Sequence, residues 1–209
     1  MINDADDLFL AEALAQLNVF CRDLDALCRT IEPVSKNFDT YGHDIRNLLI
    51  IACTEVEAHW KGVLRANGRD DRSTNGYVLL QKAMRLGDYK LRYRKYPRLP
   101  AFSPFQDWGT GPSPTTDLQW YDAYNHVKHD RELEFDRATL KQVFNAVAAC
   151  AIMLVAQFGY GGLGYRAGVG VGLLSDLVIT QSPEWSLEDR YIDYADPPGS
   201  LSTAVNYPF

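Results

Sequence analysis

Cysteine is scarce, with four in 209 residues, and none of them forms a CxxC pair. Cys21 and Cys28 share one seam of one helical pattern, about 10 Å apart along its axis, too far to bridge each other. Cys53 and Cys150 also lie inside helical patterns. Four reduced thiols are therefore expected, and cysteine-based zinc chemistry is set aside. Long apolar runs are missing too. The longest, Ala146 to Ala156, has 11 residues, well short of the ~20 a membrane-spanning helix needs, and predicts a core helix. No basic segment leads into an apolar one at the start, where Asn3-Asp4-Ala5-Asp6-Asp7 is acidic, so the expectation is a cytoplasmic protein without membrane contact. Nor is there a general excess of positive charge. The formal charge is -6, which argues against a surface coated for nucleic acid.

That net charge conceals two opposite patches. Lys82 to Arg98 carries seven basic residues against the single acid Asp88, and Glu184 to Asp196 carries five acids against the single base Arg190. Hydrophobic content of 46% with 23% charged is that of an ordinary soluble globular chain, long enough for one domain with elaborations.

Helical periodicity dominates. Leu10, Leu14, Leu17, Cys21, Leu24, Cys28 and Ile31 alternate spacings of four and three, widened by Ala13, Phe20 and Leu27. They predict a long first helix packed along its length against other helices or a second copy, and ended by Pro33. A second helix is expected from His43 or Asp44 to Asn67-Gly68, with the seam Ile45, Leu49, Ala52, Val56, His59, Val63. A short third should run from Asn75 or Gly76 to Arg85. Ser113, Pro114 and Thr116 supply start chemistry for a helix over Trp120 to Arg131. Asp136 is placed to cap the last and most apolar helix, whose seam is Leu140, Phe144, Val147, Ala151, Leu154, Phe158. The fold class that follows is mainly α: a multi-helix up-and-down bundle over residues 1–158, with a small extended insertion at about 87–112. Residues 159–209 form a Gly-rich loop and an acidic C-terminal extension on the same domain.

Three stretches carry chemistry. His59 takes a seam position that should be apolar, and Glu55 lies one turn before it. A carboxylate there can fix an imidazole's tautomer and raise its pKa, or the pair can simply be a polar contact inside a bundle. Tyr89 to Tyr96 alternates with period two, placing Lys90, Arg92 and Arg94 on one face. This strip reads first as an edge strand guarded by charge; together with Tyr93 it also suits single-stranded RNA, whose bases stack on aromatics while cations follow phosphates. The densest stretch is Trp120-Tyr121-Asp122-Ala123-Tyr124-Asn125-His126-Val127-Lys128-His129-Asp130-Arg131. On a helix, Trp120, Tyr124, Val127 and Arg131 fall on one side, while Tyr121, Asn125, Lys128 and His129 fall on the next. Asn125 and His129 are i,i+4 neighbours able to share a ligand, although aromatics of this kind also serve as structural anchors. The run Gly159-Tyr160-Gly161-Gly162-Leu163-Gly164 satisfies GxGxxG literally. It follows a long helix with no βαβ pattern around it, so a flexible loop is expected instead of a dinucleotide site. Leu177 to Thr180 reads as a short strand.

The order of elements and the signature Tyr124-Asn125-His126-Val127-Lys128-His129-Asp130-Arg131 together resemble a group of uncharacterised bacterial proteins built on a HEPN-like helical bundle. The likeness covers roughly Leu8 to Phe158, and its specific part is the short signature. The resemblance implies an all-α, homodimeric protein, of a kind that often serves as a metal-independent ribonuclease in toxin-antitoxin, phage-defence and CRISPR systems. It implies no cofactor. Catalytic members place an arginine, followed by a polar residue, with four to six residues intervening before a histidine. Here the eligible positions are Asp122, Ala123 and Tyr124 before His129, and Gln119, Trp120 and Tyr121 before His126; none is arginine. Lys36-Asn37 before His43 imitates the pattern within a connector. Catalysis would therefore use a rearranged set, His129 and Asn125 with Lys128 or Arg131 on phosphate oxygens, supported by Tyr124, Glu55 and His59. The competing expectation is a non-catalytic dimeric scaffold, sensor or antitoxin-like partner that uses the same residues structurally. A metal cluster of His59, Glu55 and His129 is the least favoured arrangement.

Overall fold

The computed structural model describes residues 4–130, 132–165 and 176–184. Seven α-helices, three short 3-10 turns and one two-stranded sheet account for the regular structure among them. The first helix, α1 (Asp4–Cys28), buries Leu10, Ala13, Leu14, Leu17, Phe20 and Leu24, with Cys21 and Cys28 half-buried. Its hydrogen bonding frays into turns that reach Ile31, whose N–H donates to the Leu27 carbonyl. The apolar stripe therefore outlasts the regular helix before Pro33 removes a donor.

Helix α2 (His43–Ala66) matches its expected bounds. It closes in a Schellman arrangement, in which Gly68 at φ 76° donates to the Arg65 carbonyl and Arg69 to the Leu64 carbonyl. The single short helix expected next is split into α3 (Thr74–Tyr77) and α4 (Leu79–Ala83). The division lets both Tyr77 and Leu80 reach the core. A 3-10 turn at Leu86–Asp88 then leads into β1 (Lys90–Tyr93). Strand β1 pairs antiparallel with β2 (Leu177–Gln181), with Arg92 opposite Val178 and Tyr93 opposite Leu177. On the other side of β1, Leu91 exchanges both backbone hydrogen bonds with Phe102, at 2.9 and 2.7 Å.

The proline-rich stretch after β1 is irregular, as its sequence implies, but it is also part of the core. Leu99, Phe102, Phe105 and Trp108 are all buried. The Trp108 ring stacks on Trp60 at 4.8 Å, and Phe102 on Phe144 at 5.5 Å. One turn, α5 (Pro114–Asp117), precedes α6 (Gln119–His129). Ser113 therefore starts α5 rather than α6, and a break at Leu118 separates the two.

The last helix, α7 (Leu140–Tyr165), is buried on nearly every side from Val143 to Val155. It packs most extensively against α2, then α1 and α6. A helix apolar all round belongs where neighbours cover every face. Leu140–Gly159 is long and apolar enough to cross a membrane by length and composition alone, yet two thirds of it is buried inside the fold. Small residues permit the close approach, and the Cys150 thiol donates to the Ala52 carbonyl of α2 at 3.3 Å. Asp136 does not cap α7. It lies in a separate 3-10 turn, Phe135–Arg137, and the free N–H groups of Leu140 and Lys141 donate instead to the Thr40 and Phe38 carbonyls. Past Phe158 the expected loop is helical as far as Tyr165, after a break at Gly159, where φ is 65°. The remaining Gly-rich residues 166–175 and the acidic extension from 185 lie outside the described residues.

Candidate functional site

Helix α6 is held against α2 and the proline-rich loop by its aromatic side chains. Trp120, Tyr121, Ala123, Tyr124 and Val127 are buried, and the Trp120 indole donates to the Pro104 carbonyl at 2.9 Å. Tyr121, expected beside the polar residues, turns inward and donates to Glu57 Oε1 at 2.6 Å. Lys61 reaches the other oxygen of Glu57 at 3.0 Å. Burial alone would raise the Glu57 pKa, but the hydrogen bonds from Tyr121 and Lys61 outweigh it and hold the carboxyl below its usual range. Burial and the same carboxylate push the Tyr121 phenol upward, so Tyr121 is a permanent donor near neutral pH. Beside this network, the Trp60 indole N–H and the Tyr77 hydroxyl are buried without a hydrogen-bond partner, although the Lys61 charge is close enough to act on Tyr77.

The signature residues divide by accessibility. Asn125 donates to the Tyr121 carbonyl one turn back, at 3.1 Å, and does not bond to His129. Lys128 donates to the Tyr124 hydroxyl at 2.8 Å and lies 4.9 Å from the centre of its ring; that bond raises the lysine's pKa and keeps it charged. His129 is exposed at the last turn of α6 and has no polar contact with a described residue. Arg131 lies outside the described residues. His126 sits between Asp122 and Glu134, 3.6 Å from each, and Arg137 bridges the same two acids. Sequence reasoning missed both this cluster and the Glu57–Lys61–Tyr121 network. Their signals were the i,i+4 pairs Asp122–His126 and Glu57–Lys61, which are unremarkable until a second element supplies a partner.

His59 is the one fully buried polar or charged side chain among the described residues, 1% exposed. Its Nδ1 lies 2.8 Å from Gln157 Oε1 on α7, an acceptor, which assigns the ring proton to Nδ1. Nε2 has no hydrogen-bond partner and lies 3.6 Å from Glu55, beyond hydrogen-bonding range. The expected effect of Glu55 is therefore corrected on two counts. Gln157 fixes the tautomer, and burial lowers the imidazole pKa against the opposing pull of Gln157. Burial raises the Glu55 pKa. Phe9 meets the imidazole edge-on at 5.6 Å. The cluster of His59, Glu55 and His129 is not assembled, since no group of three His, Cys, Asp or Glu suited to a metal occurs among the described residues.

In the basic strip, Tyr93 cannot stack on a base as expected. It is buried, and its hydroxyl donates to the Phe144 carbonyl at 2.6 Å, because a strand that alternates sides sends every second residue into the core. Arg92 and Arg94 are exposed and Lys90 is half-buried. Other cations of the strip are engaged. Lys95 bridges Asp25 and Asp176 at 2.6 and 2.8 Å, Arg98 pairs with Glu32 at 3.3 Å, and Arg85 pairs with Asp88 at 2.6 Å. No protein-family model, curated protein or solved structure matches the chain.

Proposed function

We propose that this chain is a HEPN-like, RNA-directed bacterial protein of defence or stress response, cytoplasmic and homodimeric, that cleaves RNA without a metal at the exposed end of α6. The observation that carries this reading is His129, exposed and without a described polar partner beside the charged Lys128 on a helix anchored by four buried aromatic and aliphatic side chains, Trp120, Tyr121, Tyr124 and Val127. An imidazole so placed can take the proton of a ribose 2′-hydroxyl or return one to the leaving 5′-oxygen, while a neighbouring cation stabilises the charge that develops on phosphorus oxygens. Lys128 and Arg131 are the cations of this reading, and Asn125 is a positioning residue. Two copies facing each other across a two-fold axis would supply separate acid and base.

A second reading rests on a different observation. Asn125 and Lys128 are already engaged within α6, as they would be in a non-catalytic scaffold, sensor or antitoxin-like partner. Cleavage of single-stranded and structured RNAs in EDTA, by wild type and by His129→Ala with thermal melts in parallel, separates the two. The ribonuclease reading expects cleavage by wild type alone and matching melts, since an exposed substitution shifts stability by no more than about 0.5 kcal/mol. No cleavage by either protein supports the scaffold.

A further inference from the structure

The hairpin sorts its cations by face. The two strands pair in regular antiparallel register from Leu91 to Tyr93, with a shift between Lys90 and Leu91, where Thr180 of β2 is the extra residue; Leu91 and Tyr93 are buried on the inner side, and Phe102 backs Leu91 through paired backbone hydrogen bonds. On the outer side Lys90, Arg92 and Arg94 follow one another at two-residue spacing. Backbone pairing continues through Arg94, whose N–H donates to the Asp176 carbonyl at 2.8 Å. None of the three makes an ion pair with a described residue, whereas Arg85, Lys95 and Arg98 in the same strip all do. The cross-strand partners of Lys90 and Arg92 are Gln181 and Val178, so no carboxylate on β2 stands directly opposite either of them.

We propose that this outer face is a phosphate track for single-stranded RNA, a surface that delivers substrate to the protein. The proposal rests on the RNA-directed reading above. Side chains two apart on a strand stand about 6.6 Å from one another, a regular interval like that of successive phosphates on an extended nucleic-acid strand. A regular row of point charges suits a regularly charged polyanion better than an acidic peptide, whose carboxylates are irregularly placed. With Tyr89 and Tyr93 both buried, the face has no tyrosine available for base stacking. Binding is therefore electrostatic and indifferent to base sequence.

The test is fluorescence anisotropy with a labelled oligouridylate in EDTA, using the full chain carrying His129→Ala so that the probe stays intact. Three phosphate contacts on a single strand predict a log–log salt slope of about -2, a loss of about 20-fold in affinity between 50 and 200 mM salt. Lys90→Gln/Arg92→Gln/Arg94→Gln should reduce the slope by that amount, leaving only the share carried by Lys128 and Arg131, and Arg92→Gln/Arg94→Gln, which leaves the half-buried Lys90 in place, should reduce it by about two thirds of that amount. Thermal melts should coincide throughout. Unchanged affinity or slope in both variants overturns the track. Equally tight binding of polyglutamate through the same residues overturns it in favour of an acidic protein partner. Salt-dependent binding that needs these residues, in a protein whose wild type does not cleave RNA, retains the track and removes the ribonuclease reading alone.

Discussion

Replacing His59 by leucine tests whether burial or the nearby carboxylate governs the one buried imidazole. Burial holds its pKa below the usual 6.5, so the unfolded chain takes up the proton first as pH falls. Its contribution to stability is fully present above about pH 6.5 and is lost as pH drops through the lower folded value. At most one proton is involved, so the loss cannot exceed about 1.4 kcal/mol per pH unit. The groups facing the ring are Glu55 from its own helix, Gln157 from α7 and Phe9 from α1. Glu55 is the titratable one, and its raised pKa acts in the opposite sense, favouring the fold below 4.5 and losing that effect as pH rises through its folded value. Because Glu55 is present in both proteins, its direct contribution largely cancels in the comparison. Near pH 8, His59→Leu loses one hydrogen bond, worth about 0.5 to 1.5 kcal/mol, and removes an unpartnered buried nitrogen, so its stability should lie close to wild type. Urea denaturation at pH 5, 6, 7 and 8 should then show the variant gaining on wild type as pH falls. A difference that stays constant, or that grows in favour of wild type at low pH, would refute the reasoning, the second result because it would require a charged imidazole held by Glu55.

Two further substitutions probe what holds the candidate site in place. Tyr121→Phe removes a hydrogen bond to a carboxylate that Lys61 still contacts, and should lower the unfolding free energy by about 1 to 2 kcal/mol in urea, with α6 detached from α2 at that point. Phe144→Ala empties a fully buried position ringed by Phe38, Tyr93, Tyr96 and Phe102. It should cost about 3 to 5 kcal/mol and flatten the near-ultraviolet circular dichroism.

Periodicity was enough to place the helices because each long one buries a stripe. Along α2 the seam positions Ile45, Leu49, Ala52 and Val56, the anomaly at His59 and the glycine stop were legible, whereas the burial of Leu48, Cys53, Trp60 and Leu64 beside them was not. The alternation around β1 was legible for the same reason. The split of α3 from α4, the start of α6 and the N-terminal hydrogen bonds of α7 were not, because each depends on a partner distant in the chain: Trp60 for Tyr77, the Pro104 carbonyl for Trp120, the Thr40 carbonyl for Leu140. The candidate site followed the same division. That α6 concentrates histidine, lysine and aromatic residues could be read directly, but which of them face solvent could not.

Composition and spacing by themselves determined a mainly helical chain, its apolar central helix, reduced thiols and an outward row of cations, because these follow from local geometry and from where apolar side chains recur. Tertiary structure alone decided that Tyr121 is an interior donor, that Tyr93 meets the Phe144 carbonyl, that Glu57 joins two helices, that Gln157 rather than Glu55 sets the state of His59, and that His129 is left exposed. Those outcomes depend on which polar groups meet once water is excluded, and a group's partner, its charge state and its accessibility are properties of that meeting and not of the residue.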